Sequence, residues 1–283
     1  MAKCIAVTFD FDMINYFDGK IIADELTQFH SETCEIFKEF DDIKSTCFIR
    51  IDSQIESLLG HSDYVFRTNP TQITWLKENG HQIGWHHHAY NFVDNNWTQE
   101  TNEDLICKDI EHYGQIARSL GLTAVRMGWG WQTNKSLSLL HDLGFEIDSS
   151  AIPRPTYAWE KSGKDWSRTT NSRYYPSKHD YQTSKEPLLG ILEIPISTTY
   201  IPCPGDDGEV LRYLNLAYHP EIFKNAVAQL DDLSLLVSIT HPYEFLSVSN
   251  SHPLLAFNLQ SLRENLSLLK DLGYNFKTLS EVS

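Results

Sequence analysis

The chain has 283 residues, of which 41% are hydrophobic and 22% charged, a balance typical of soluble globular proteins and unlike that of disordered chains or coiled coils. Its 23 Lys and Arg against 38 Asp and Glu leave a formal charge of −15, a field that repels phosphate backbones and anionic lipid and so argues against nucleic-acid and membrane partners. No run reaches the ~18 apolar residues that a membrane span requires.

Five cysteines stand at positions 4, 34, 47, 107 and 203, widely spaced and without a CxxC pair. Neither a disulfide framework nor a structural zinc knot is expected, and free thiols point to a reducing compartment. The opening MAKCIAVTFDFD runs straight into an apolar segment with no basic leader and no cleavage site, so the expected location is cytoplasmic.

In chain order, Ile5 to Phe9 reads as a buried strand, and 23–40 carries apolar residues at helical spacing. Ser45 to Ile51 is a second strand. Pro70 opens a helix that stops at Gly80, and Gln82 to Trp85 is a third strand. Helices over 101–120, 134–143, 220–230 and 261–272 alternate with strands at 123–125, 145–147, 189–194, 235–239 and 274–276. Seven or eight strand–helix units in one chain predict a (β/α) barrel, with a single domain over 1–283. The polar, aromatic stretch 154–187 lacks any period and is expected to be an ordered excursion across one end of that barrel.

Functional groups in such barrels sit where strands end. Asp10 and Asp12 follow the first strand, His86, His87 and His88 the third, Arg126 the fourth, Asp148 the fifth and His241 the last long apolar strand. Two carboxylates ending a buried strand are costly unless they pair or bind a cation. Carboxylate plus imidazole suits a borderline divalent ion, zinc with cobalt or nickel as substitutes, and not calcium or magnesium. A free carboxylate beside such an ion is what metal-assisted hydrolysis needs.

The series VTFDFD (7–12), STCFIR (45–50), NGHQIGWHHH (79–88), VRMGWGWQTNKSLSLLHDLGFEIDSS (125–150), ILEIPI (191–196), SITHPYEF (238–245) and LLKDLGYNFKTLSE (268–281) resembles, in that order, the polysaccharide deacetylase (NodB-homology) family, carbohydrate esterase family 4. The resemblance implies a distorted (β/α)7 barrel and metal-dependent deacetylation of N-acetylated sugars. It further implies Asp10 as base, Asp12 as metal ligand, Arg126 orienting the base, His241 protonating the leaving amine and Asp148 tuning that histidine. The second motif departs from the family pattern, because Tyr90 stands where a second histidine is expected four residues after His86. His88 replaces it, Tyr90 substitutes for it, or the metal is weakened or lost. Since His86 and His88 lie two apart in an extended segment and share a face, His88 is the preferred second imidazole. Trp129, Trp131, Trp159, Trp166, Tyr174 and Tyr175 are candidate stacking faces for sugar rings. The expected partner is a carbohydrate, the alternatives being a cyclic amide or imide hydrolase of the same fold and a metal-free carbohydrate-binding relative.

Overall fold

The computed structural model describes residues 3–12, 19–154, 164–202, 208–246 and 252–283. The strands among them are β1 (Cys4–Phe11), β2 (Ser45–Arg50), β3 (Gln82–His87), β4 (Tyr90–Val93), β5 (Asn96–Gln99), β6 (Ala124–Met127), β7 (Ile147–Asp148), β8 (Leu192–Glu193), β9 (Thr198–Pro202), β10 (Glu209–Tyr213), β11 (Leu235–Thr240) and β12 (Asn275–Phe276). The main sheet runs β11-β1-β2-β3-β6-β7-β8, and β12 pairs with the start of β1. Every pairing in it is parallel. Helices Gly19–Glu39, Pro70–Glu78, Glu103–Ser119, Asn134–Asp142, Pro220–Gln229 and Leu259–Asp271 supply the crossovers, within a residue or two of the periods read from the sequence at most ends. Gly80 and Gly273, at two predicted stops, take φ of 79° and 76°, which a side chain would disfavour.

The sheet curls into a half-barrel, the (β/α) barrel that the alternation predicted, distorted as the family resemblance implied. Its seam lies between β8 and β11, which no regular ladder joins among the described residues. Irregular backbone fills the gap: Ser197 N–H donates to Val237 C=O (2.9 Å), Leu214 N–H to Ser197 C=O (2.8 Å) and Ile239 N–H to Leu214 C=O (2.9 Å). Ser197 Oγ accepts from Val237 N–H, and Thr240 Oγ1 from Leu216 N–H.

Strand alternation decides which residues enter the barrel. Ala6, Phe48, Ala124, Ile147, Leu192, Ile194 and Val237 form the interior cluster, whereas Ile5, Val7, Phe9, Phe11, Trp85 and Val125 pack outward with the helices. Gly84 belongs to the inward set, and a Cβ there would stand 2.5 Å from the Phe48 ring. Continuing this parity toward the strand ends sends Asp10, Asp12, Arg50, His86, His88, Arg126 and His241 inward. Register places them in one layer, since Arg50 pairs with His86 and His86 with Arg126.

Two antiparallel hairpins, β4–β5 and β9–β10, were not foreseen. Of the predicted 154–187 excursion, 155–163, including Trp159, fall outside the described residues, as does Cys203. The rest is held in place: Tyr174 exchanges backbone bonds with Glu193, Asn171 bonds Thr198, and Asn134 bonds the backbone of His179 and Tyr181. Among the described residues no helix is long and apolar enough to cross a membrane.

Candidate active site

A cavity of about 340 Å³ opens at the carboxyl ends of β1, β3, β6 and β11, and Asp10, Asp12, His86, His88, Arg126 and His241 all line it. The volume lies within the range of small-molecule sites. Six of the seven residues proposed from the sequence therefore converge.

Asp10 and Arg126 form one unit. Arg126 Nη1 donates to Asp10 Oδ1 (2.8 Å) and Thr8 Oγ1 (2.6 Å), Nη2 to Ser149 Oγ (2.8 Å) and Nε to Ser149 C=O (2.8 Å). Its guanidinium lies 4.3 Å over the Phe48 ring. Both residues are buried, and a buried carboxylate is tolerable only with such a partner. The pair leaves Asp10 Oδ2 facing His86 Nε2 at 3.8 Å.

Asp12 has its own arginine, which sequence reasoning missed. Arg50, completely buried, donates from Nη1 to Asp12 Oδ1 (3.0 Å) and from Nη2 to Gln54 Oε1 (2.8 Å), while its Nε bonds Asp52. The signal was present: Arg50 ends the second strand just as Arg126 ends the fourth. Burial works against ionisation of Asp12, but the His88 and His86 rings more than offset it and hold the carboxyl well below its ordinary range.

The two imidazoles meet. His88 Nε2 lies 3.0 Å from His86 Nε2, and these atoms lie 3.4 and 3.5 Å from Asp12 Oδ2. His86 Nδ1–H donates to Arg126 C=O (2.9 Å), which fixes its tautomer and aims a bare Nε2 at the cluster. His88 stacks on Tyr90 with ring centroids 5.0 Å apart and planes 3° off parallel. Burial pushes its ring down to about 4, so it is neutral at pH 7. A Cβ on Gly128 would come within 2.3 Å of His88 Nδ1, so the glycine after Met127 is what admits this ring. One donor atom from each of Asp12, His86 and His88 lies within 4.8 Å of the others. Two imidazoles and a carboxylate, all buried and convergent, fit a borderline divalent ion. Tyr90 is not in that donor set; its hydroxyl accepts from Trp129 Nε1 (3.2 Å). His87 points to the opposite side, against Trp85 and Tyr113.

His241 stands over this group, its Nε2 3.8 Å from Asp12 Oδ2. Its Nδ1 faces Glu244 Oε2 at 3.3 Å. Glu244 is held in turn by Asn215 Nδ2 (2.8 Å) and the His241 backbone N–H (2.8 Å). Burial alone would lower the His241 pKa, but the Glu244 carboxylate, helped by Asp10 and Asp12, outweighs it and pushes the ring up to about 9. Here the sequence expectation is corrected, because Asp148 is not the acid beside His241. Asp148 pairs in register with Val125 and Glu193 on the outward face of the sheet, where it accepts from Gln132 Nε2 (2.7 Å) and Ser150. Burial raises both the Asp148 and the Glu193 carboxyls. Like-charged neighbours of this kind are best accommodated with a proton between them. Glu244, three residues after His241, was overlooked because it falls in a loop helix and not at a strand end.

The aromatic candidates separate. Trp131 and Trp166 are buried. Trp129 is 56% exposed at the cavity mouth with φ of 60°, an uncommon backbone for a bulky residue and one that accumulates at binding sites. Tyr174 and Tyr175 are not among the lining residues.

No protein-family model matches the sequence, and neither does any curated protein. Among solved structures, a Mycobacterium smegmatis protein assigned as a polysaccharide deacetylase aligns over all of this chain and 90% of its own, at 16% identity and a TM-score of 0.56. The fold is that of a polysaccharide deacetylase. A 4-alpha-glucanotransferase from Thermococcus litoralis matches 99% of this chain with 38% of its own length, at 14% identity and a TM-score of 0.53. A family 4 carbohydrate esterase from Streptomyces lividans aligns over 99% of this chain and 95% of its own, at 11% identity and a TM-score of 0.45. The first two neighbours bear different activities on one fold, so function has to be argued from the site.

Proposed function

We propose that this protein is a metal-dependent hydrolase of carbon–nitrogen bonds that removes acetyl groups from an N-acetylated sugar or oligosaccharide. The observation that carries the reading is the convergence of Asp12, His86 and His88 in the same cavity as the Asp10–Arg126 pair and His241. Asp12, His86 and His88 would hold a divalent ion, zinc in the first instance, whose Lewis acidity lowers the pKa of water and polarises a carbonyl. Asp10, aimed by the Arg126 guanidinium, accepts the proton of the attacking water. His241, protonated beside Glu244, delivers a proton to the departing nitrogen. Trp129 offers its exposed face to the sugar ring.

The test is metal content together with acetate release. Purified protein should carry about one divalent ion per chain, removable by a chelator, and the reloaded protein should release acetate from N-acetylated oligosaccharides. Protein that takes up no divalent ion from a metal-replete solution refutes the reading. Ring opening of cyclic ureides without acetate release would turn it toward a cyclic amide substrate.

A further inference from the structure

The charge around the cavity runs opposite to the charge of the chain. The protein carries −15 overall, yet among the described residues the carboxylates lining the cavity are Asp10 and Asp12, and each is matched by a buried arginine. Two further arginines line the wall, Arg154 and Arg212. At the mouth the Lys164 ammonium stands 5.0 Å over the Trp129 ring. Arg212 lies on β10, paired with Thr199 of β9 and flanked by Leu211 and Tyr213, which line the same wall. It is exposed, and no carboxylate among the described residues lies within ion-pair distance of it. With 38 acidic residues in the chain, an arginine at the cavity wall that no described carboxylate matches is a position at which the described residues supply no anion.

We propose that Arg212 forms an anion subsite, so that the preferred substrate is an N-acylated sugar bearing a carboxylate or a phosphate. The inference rests on the hydrolase reading for the acyl group and adds the charge of the substrate. A guanidinium presents a planar fork that matches either oxyanion bidentately, and a cleft lined by one sign of charge concentrates ligands of the other. The cavity, at about 340 Å³, has room for one sugar residue between the floor at Asp12 and the wall at Arg212. The anion therefore belongs on the ring whose acyl group reaches the floor, or on its immediate substituent.

Equilibrium binding to the metal-loaded protein tests this with three probes: N-acetylglucosamine, its 6-phosphate, and N-acetylmuramic acid as the carboxylate. One or both anionic probes should bind about ten- to a hundredfold tighter than the neutral sugar, the scale of a hydrogen bond to a charged group. The tighter of the two identifies the anion. Arg212→Gln should erase most of that ratio, and Arg212→Lys, a point charge without the fork, should retain part of it. Equal affinity for neutral and anionic probes overturns the proposal, as does a preference that survives Arg212→Gln, or failure of both anionic probes to bind. Acetate release separates this outcome from that of the hydrolase reading. Turnover of neutral N-acetylated sugars with no anion preference sinks the subsite alone. Arg212-dependent anion binding without any acetate release sinks the hydrolase reading alone.

Discussion

Arg50 Nη1 sits 3.0 Å from Asp12 Oδ1, which commits one oxygen of the carboxylate to a buried guanidinium and leaves Oδ2 to the two histidines. Because Asp52 and Gln54 clamp the same arginine, Asp12 cannot swing to offer both oxygens. Arg50→Met strands two buried carboxylates, Asp12 and Asp52, and should destabilise the protein by about 3–5 kcal/mol, the scale for breaking a buried pair. Chemical denaturation measures it. A loss below about 1 kcal/mol, the value typical of exposed pairs, would mean that the guanidinium is not the partner that keeps these acids charged.

Metal content distinguishes the members of the histidine run. Asp12→Ala, His86→Ala and His88→Ala should each lower bound metal sharply. His87→Ala should leave it near normal, since that ring faces Tyr113 and burial already holds it neutral with a pKa of about 4. Tyr90→Phe should also retain metal. Elemental analysis reads all five, and a metal-free Tyr90→Phe would transfer the ligand role from His88 to the phenol.

Asp10→Asn and His241→Ala remove groups that hold no metal in this scheme. Both should keep the ion and the fold yet lose about 10²–10⁴ in turnover, the usual contribution of a general acid or base. Near-normal turnover in metal-loaded Asp10→Asn would rule out the proton transfer assigned to it.

Glu244 sets the alkaline limit. A folded-state His241 pKa raised from 6.5 to about 9 keeps the acid protonated across neutral pH, and kcat/KM should fall as pH climbs through that value. The stability gained from the charged pair follows the same sign: it is full below the ordinary histidine pKa and lost as pH rises toward 9. Glu244→Gln removes the main raising carboxylate while burial still lowers the ring and Asp10 and Asp12 still raise it, so the alkaline limb should move to lower pH. An unchanged limb would show that another group supplies the proton.

Much of this architecture was legible because parallel strands and amphipathic helices announce themselves by period, and because strand ends in a barrel collect function. The errors have separate causes. Ile147 and Asp148 differ by a single residue, and that residue decides between the barrel interior and the far face, so Asp148 could not be placed without the register against Val125. Arg50 was overlooked for the reverse reason, since a lone arginine ending an apolar strand reads as a solvent anchor until its buried partners are seen. The two hairpins carry few apolar alternations, and Leu211, Arg212 and Tyr213 became part of the site only through tertiary placement.

The seam between β8 and β11 has a consequence for ligand binding. Elsewhere the sheet is laced by continuous parallel ladders, but here a few backbone bonds and the hydroxyls of Ser197 and Thr240 keep the barrel shut. The cavity straddles that boundary, with Asp12 and His86 on the laced side and Thr198, Arg212 and Tyr213 beyond it. A molecule gripping both sides acts as a rivet across the joint that no regular ladder spans among the described residues. Amides flanking Ser197 and Leu214 should exchange fastest of the barrel wall in the free protein, and occupancy should slow them more than amides of β2 or β3.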